Sequence, residues 1–532
     1  MSNVSTISNQ IWAMANELRG NMSASVYQNY ILGFIFYRYL SEHQENYLVE
    51  HNIISPKAEQ SINDAYMEEA NGEELADYLA DISQTLGYAI EPAYTWQTLI
   101  NKINNNQITP RDYQDIFDSF NRNSELNPEA SKDFRGVFND LNLGSSQLGN
   151  TTVDRTKALN KVVLLVNEIH YKDESGRDIL GEIYEELISK FAANAGQKGG
   201  EFYTPHAVSQ ILARLVTNNI QNENTFTVYD PTCGSGSLLL TVGNALPNGK
   251  KEGAIKYYGQ ELNTSTYNLA RMNLMMHGVS FNNMTLSNAD TLESDWPDGI
   301  DASGIDRPRR FDAVVANPPY SANWDNHERK LKDPRFAEYG KLAPKSKADF
   351  AFILHCLYHL NENGTAAIVL PHGVLFRGAA EGHIRKVLIE KNYLDAVIGL
   401  PANLFFGTSI PTCILVLKKN RQHKDILFID ASQHFDKGKN QNYLNSEHID
   451  AILNAYINRQ SIEKFAYIAQ KEEIQQNEFN LNIPRYVDTF EEEPEIDLED
   501  VLSKIAADKA EIAQLEAEIN KQLEILGVKL TN

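Results

Sequence analysis

The chain is poor in cysteine and has no basic excess, and each shortage excludes a class of protein. Its 532 residues include three cysteines, Cys233, Cys356 and Cys413. They lie far apart and form no Cys-x-x-Cys, so a zinc ribbon and a disulfide framework are both excluded. A reducing, cytoplasmic setting is expected. Lys plus Arg number 48 against 71 Asp plus Glu, a formal charge of −23. A protein that grips nucleic acid alone usually carries a basic footprint. DNA binding here therefore needs a local basic cleft or a basic partner. Long apolar runs are also missing. The greasiest stretch, ILGFIFYRYL, is interrupted by Arg38 and falls far short of the roughly 20 apolar residues of a membrane helix. The N-terminal MSNVSTISNQ lacks a basic segment followed by an apolar core, so no signal peptide is expected. What remains is globular: 42% hydrophobic and 22% charged residues, enough chain for about three to four units or one large domain with additions.

Residues 1–165 read as a helical domain. Ile11, Met14, Ala15 and Leu18 recur at helical spacing, and Tyr27, Tyr30, Ile31, Phe34, Ile35 and Leu40 form a broader apolar face. A helix is expected over Asp178 to Ala193, followed by the loop GQKGGEFYTP. Over 166–484 the texture changes. Short β-rich runs alternate with helical stretches: Phe226 to Tyr229, Lys256 to Gly259, Asn283 to Ser287, Phe311 to Val315, Thr365 to Leu370, Leu394 to Leu400 and Thr412 to Leu417. The later runs are continuously apolar, as in strands buried on both faces. The alternation predicts an α/β, Rossmann-like fold, a mostly parallel sheet with helices on both sides, whose ligands sit at the carboxyl ends of the strands. The last sheet strand is placed near Leu417, leaving too little chain for a separate DNA-reading domain. Residues 485–532 comprise an acidic linker and a helix in which Leu498, Ile505, Ile512, Ile519 and Leu526 recur every seven positions. Such a helix is made to lie against another.

Two strings carry chemistry. The first is Asp230-Pro231-Thr232-Cys233-Gly234-Ser235-Gly236-Ser237, directly after a predicted strand. Gly234 and Gly236 allow a tight turn and close approach of a ligand to the backbone. Glu261 ends the next strand, 25 residues beyond Gly236, where a carboxylate accepts hydrogen bonds from ribose hydroxyls. Asp290 ends the third, where it can meet an adenine ring. The loop lacks both the third glycine of a dinucleotide site and the Gly-Lys-Ser/Thr of a P-loop. A cofactor with adenosine and no phosphate, S-adenosyl-L-methionine, fits best. The second string is Asn317-Pro318-Pro319-Tyr320, after the apolar strand FDAVVA. Its prolines fix φ and remove donors, so the Asn317 side-chain oxygen and the Pro318 carbonyl can both accept from an exocyclic amine. Tyr320 offers a face on which a base stacks.

These strings, in the order GGEFYTP, DPTCGSG, Glu261, Asp290, NPPY, resemble the amino-methyltransferases of DNA, in the order of their gamma group. With IVLPHGVLF, VIGLPANLFFGTSIPTCILVLKK and NIPRYVDT added, the resemblance is to the modification subunit of type I restriction–modification systems and spans nearly the whole chain. It implies an S-adenosyl-L-methionine-dependent enzyme that methylates N6 of a flipped-out adenine. It also implies that Glu201, Phe202, Tyr203, Thr204, Pro205 and His206 contribute to the cofactor site, although frequent variants carry arginine where this chain has His206. Partners follow in the same way: double-stranded DNA met through the complex, a specificity subunit served by two copies of this chain, and a separate restriction subunit. Glutamine amides in proteins, amino groups in RNA and N4 of cytosine are alternative acceptors, and an inactive scaffold is the alternative outside catalysis.

Weaker signals are read conservatively. Residues 307–347 hold ten Lys and Arg against five Asp and Glu, a stretch able to touch DNA phosphates. Phe376, Phe405 or Phe406 can stack on the second face of a base, though each is more often core. His355 and His359 stand four apart with no third ligand in view, so they are read as packing and no metal is expected. Cys233 lacks the Pro-Cys context of a nucleophile and is read as a small turn residue. Pro297-Asp298 with Glu328-x-Lys330 mimics a nuclease signature by chance.

Overall fold

The computed structural model describes residues 2–18, 24–172, 178–195, 203–218, 220, 225–246, 253–296, 303, 308–489 and 498–525. Met1 to Val487 form one compact unit and Asp488 to Asn532 a second.

The N-terminal third is helical, as its periodicity predicts. Its long helix, Ala24–Glu50, buries Tyr27, Tyr30, Phe34 and Tyr37 completely. Tyr37, Phe117, Phe120 and Phe138 pack edge to face or tilted around it, with centroids 5.0 to 6.5 Å apart. Local chemistry sets the helix starts. In Pro110–Asn123 and Thr152–Asn167, Thr109 with Asp112 and Thr151 with Asp154 form reciprocal capping boxes, which satisfy otherwise orphaned amides. The helix expected from Asp178 runs Leu180–Ala195. Asp178 precedes it and accepts the Leu180 N–H at 2.8 Å.

All seven expected strands are present: β1 Phe226–Asp230, β2 Ile255–Glu261, β3 Met284–Asn288, β4 Phe311–Ala316, β5 Leu360–Pro371, β6 Leu394–Gly399 and β7 Thr412–Lys418. Four more follow: β8 Ile426–Asp430, the two-residue hairpin strands β9 Asp436–Lys437 and β10 Asn442–Tyr443, and β11 Ala466–Ala469. Among the described residues the main sheet has nine strands in the order β11-β8-β6-β7-β5-β4-β1-β2-β3. Placing the last sheet strand near Leu417 is therefore corrected: β8 extends the sheet parallel to β6, and β11 closes its edge antiparallel to β8. Strand β7 runs antiparallel between β5 and β6; the other pairings within β1–β6 are parallel.

Strand alternation divides the interior. Val315, Val369, Ile398 and Ile429 join one core, continuous with the N-terminal helices. Val314, Ile368, Val397 and Phe428 join a second core on the opposite face. Chain order reverses between β1 and β4, and such a switch point opens a crevice at the carboxyl ends of the strands.

Candidate active site

Strand β1 ends at Asp230, and the chain turns through Gly234 at φ +54° and Gly236 at φ +76° before the helix Ser237–Ala245. Only glycine takes these angles without strain, and at Gly236 a Cβ would also run into the buried Leu274 side chain. The turn is tied down on both sides. The Cys233 N–H donates to the Gln260 carbonyl on β2 at 2.9 Å. Asn273, fully buried, donates Nδ2 to the Ser235 carbonyl at 2.9 Å and to Ser237 Oγ at 3.3 Å. The sequence carried no sign of Asn273, which sits mid-helix and 36 positions from Ser237.

Glu261 stands at the tip of β2. Its Oε2 accepts the Gly234 N–H at 3.1 Å and its Oε1 the Asn263 N–H at 2.8 Å. Burial pushes its carboxyl up, against the pull of those amides. An acceptor-only carboxylate with spare lone pairs, resting on a glycine turn, fits a pair of ribose hydroxyls. Asp230 is more deeply buried, and its Oδ1 accepts the Thr232 N–H at 2.9 Å. Burial first, and then the charge of Glu261, push it up to about 7. Asp290 is exposed past β3 and accepts the Leu292 N–H at 2.9 Å. Burial holds the Cys233 thiol far above its usual range, which suits a packing role and not a nucleophile.

Asn317 follows β4, the strand on the other side of β1 from β2. Strand spacing puts the two tips about 10 Å apart. The Asn317 amide is held at both ends. Its Nδ2 donates to Thr204 Oγ1 at 3.1 Å, and its Oδ1 accepts the Tyr320 hydroxyl at 2.9 Å. With the nitrogen engaged, the oxygen is the end left for a substrate amine, and it keeps a second lone pair. Burial raises the Tyr320 phenol, so it stays a donor at neutral pH. Pro318 is buried and Pro319 exposed.

The turn has a brace that the sequence did not reveal. Ser321 sits at φ +52°, and its N–H donates to Oδ1 of the fully buried Asp349 at 2.8 Å. The other oxygen of Asp349 meets Arg377 at 2.5 Å, and Arg377 pairs with Glu381 at 2.8 Å.

Of the EFYTPH string, Glu201 and Phe202 lie outside the described residues. Tyr203 is buried with its ring centroid 6.1 Å from that of Phe406, Thr204 holds Asn317, and Pro205 precedes the helix His206–Thr217. His206 is exposed and contacts Gln210 at 3.0 Å. Phe405 is buried edge-on to Tyr320, centroids 6.1 Å apart, whereas Phe376 is 48% exposed. Pro297 and Asp298 lie outside the described residues, and Lys330 is committed to Glu293 at 2.8 Å. His355 and His359 do meet a third group, Asp295. Their ring nitrogens, however, are taken by Tyr229 and Arg335 and by Arg309 and Asp295, at 2.8 to 3.1 Å. The buried Arg335 guanidinium in this cluster opposes a further cation.

A sheet that reverses between β1 and β4, with a glycine turn and an acid on one side and Asn-Pro-Pro-Tyr on the other, defines an S-adenosylmethionine-dependent amino-methyltransferase. Comparison with known proteins narrows the class. The family model described as N-6 DNA Methylase matches residues 175–495, and the HsdM N-terminal domain matches residues 7–166. The chain is 38% identical to the type I restriction enzyme MpnII methylase subunit of Mycoplasma pneumoniae, over 92% of this chain and 91% of that protein. It is 32% identical to the MjaVII methylase subunit of Methanocaldococcus jannaschii, over 72% of this chain and 65% of that one. A solved type I restriction–modification methyltransferase subunit from Streptococcus thermophilus superposes with a TM-score of 0.82 and 43% identity, covering 91% of this chain and all of that one. The chain therefore belongs to the methylase subunits of type I restriction enzymes.

Proposed function

We propose that this subunit transfers a methyl group from S-adenosyl-L-methionine to N6 of an adenine extruded from DNA. The observation that carries the reading is the Asn317 amide, fixed by Thr204 and Tyr320 one strand away from the glycine turn that Glu261 braces. Glu261 and the backbone around Gly234 to Gly236 would hold the nucleoside, and Asp290 the adenine. Tyr203, Thr204 and Pro205 would close the methionine side, and the family resemblance assigns Glu201, Phe202 and His206 to the same cofactor site. Asp230, Thr232, Cys233, Ser235 and Ser237 shape the turn. The bound cofactor supplies an electrophilic methyl group on a sulfonium.

The protein's own work is positioning. Asn317 Oδ1 and the Pro318 carbonyl accept the two amine hydrogens and turn the nitrogen lone pair out of the ring plane. The same oxygens oppose the positive charge that grows on nitrogen. Pro319 stiffens the turn, and Tyr320 packs against the planar base. A base within the duplex cannot reach these groups, so extrusion precedes transfer.

Recognition of the DNA sequence falls to a specificity subunit, with two copies of this chain per specificity subunit. Cleavage belongs to a separate restriction subunit. The acidic balance and the absence of a P-loop motif support that division. The same reading divides the chain at 165 and 485 into helical domain, catalytic domain and partner helix. Three free, buried cysteines suit the cytoplasm, and no helix among the described residues is long and apolar enough to cross a membrane.

Asn317→Ala tests the reading. In the reconstituted complex it should cut methyl transfer by about 10²–10³-fold or more while cofactor affinity stays near wild type. Undiminished transfer would defeat the assignment. Mapping methylated adenines in host DNA with and without the gene separates DNA from RNA or protein acceptors.

A further inference from the structure

The stretch 307–347 is basic within an acidic chain, and its described cations differ in their partners: Arg309 donates to the Tyr258 hydroxyl at 2.8 Å, and Lys332 is exposed outside the segment that returns beside the turn. Four are committed to carboxylates: Arg310 to Glu362 at 3.0 Å, Arg329 to Asp325 at 2.7 Å, Lys330 to Glu293 at 2.8 Å and Arg335 to Asp333 at 2.6 Å. Lys330 and Arg335 are also buried, so they serve the fold. Lys341, Lys345 and Lys347 differ. Among the described residues none of them has a carboxylate within ion-pair distance.

Their place is fixed by backbone pairing. Residues 322–326 leave the catalytic turn, and residues 343–348 return beside them. The Trp324 N–H donates to the Lys345 carbonyl at 2.9 Å, and the Ala348 N–H to the Ala322 carbonyl at 3.0 Å. Trp324 Nε1 and Asn326 Nδ2 bond the carbonyls of Pro344 and Ala343 at 3.0 and 3.2 Å. The Lys347 ammonium reaches Ser321 Oγ at 3.5 Å, one residue past Tyr320. Lys341 and Lys345 are exposed, and Lys347 is half-buried. Unpaired cations are thus carried to the rim of the turn that Asn317 opens.

We propose that Lys341, Lys345 and Lys347 form a contact for the DNA phosphates flanking the extruded base, an inference that rests on the adenine-methylating role. Charge complementarity commits the surface to a polyanion. With a formal charge of −23 the chain as a whole repels DNA, so approach of the backbone to this rim needs local positive charge. Among the described residues Lys341 and Lys345 have no acid within ion-pair distance, and Lys347, which feels Glu381 only beyond that distance, adds to them. As point charges on flexible stems they position phosphates without reading sequence.

The test uses the full chain assembled with its specificity subunit, a duplex carrying the target site, and the variants K345Q/K347Q and K341Q/K345Q/K347Q. Each lost phosphate contact should reduce the slope of log affinity against log salt by about 0.9. With two copies of the chain on the site, the triple variant should therefore lose about 5 of slope, between about 2 and 3 per copy, bind DNA more weakly at 0.15 M salt, and keep wild-type affinity for S-adenosylmethionine. The triple Lys→Arg variant should restore the slope. Wild-type slope and affinity in the Gln variants would overturn the proposal. A slope lost equally in the Gln and Arg variants would overturn it too, because the effect would then come from disturbed packing. Failure of the underlying reading is distinct: it would appear as normal adenine methylation by the Asn317→Ala complex, whatever the lysines do.

Discussion

Asp230 shows how much one buried carboxyl can say about conditions. Burial and the neighbouring Glu261 hold it near 7 in the folded chain, against about 3.9 when unfolded. Between those values the folded state binds a proton that the unfolded state has released. Stability therefore falls, on this group's account, as pH rises through the interval, by up to about 1.4 kcal/mol per pH unit, and levels off above 7. Asp230→Asn keeps an oxygen to accept the Thr232 N–H and removes the titration. Its melting temperature should exceed that of wild type by more at pH 8 than at pH 5.5, as read by calorimetry at the two pH values. An equal difference at both would show that Asp230 titrates normally. Glu261 is raised in the same direction by burial but is less enclosed, and the Gly234 and Asn263 N–H groups favour its carboxylate form.

The brace behind the catalytic turn belongs to the scale of elements. A non-glycine residue in the left-handed region costs about 1–3 kcal/mol, and Ser321 sits there. A hydrogen bond to a buried charge contributes about 1.5–3 kcal/mol, so the Asp349 bond suffices to hold the turn. Asp349→Ala should lower the single-turnover rate of methyl transfer about 10-fold or more. Cofactor affinity should change little, since Asp349 contacts none of the residues around Gly234. Asp349→Asn, which keeps an acceptor for Ser321, should fall between. An unchanged rate in Asp349→Ala would free the turn from the brace. The same scale marks what the sequence let one read. Strands β1 to β7 were visible because their apolar runs are bounded by turns, and Asn317, Glu261 and the glycine turn because each lies at the end of such a run. β8 has five buried residues, but a run that short does not by itself tell a further sheet strand from a buried loop segment. β11 is a short edge strand with only two buried residues and little hydrophobic signature. The order β8-β6-β7-β5 is a matter of non-local pairing. So are the contacts of Thr204 with Asn317 across 113 positions and of Asp349 with Ser321 across 28; local pattern does not encode either.

For the whole molecule, the terminal helix Leu498–Ile525 poses the question of assembly. Ile505, Ile512 and Ile519 are 44 to 54% exposed at intervals of seven, with Leu515 and Leu502 also exposed. A 28-residue helix spans about 42 Å, and a stripe of isoleucines along it has no reason to face water unless another helix covers it. Residues 1–487 form one compact unit and the helix belongs to a second. Its loss should therefore separate folding from assembly. The full-length triple variant Ile505→Asp, Ile512→Asp, Ile519→Asp should keep the cofactor affinity and melting temperature of wild type. It should fail to co-elute with the specificity subunit on size exclusion, and so lose site-specific methylation. Full co-elution of that variant would place the assembly contact elsewhere in the chain. A melting temperature lowered by several degrees would show instead that the isoleucines belong to this chain's own fold.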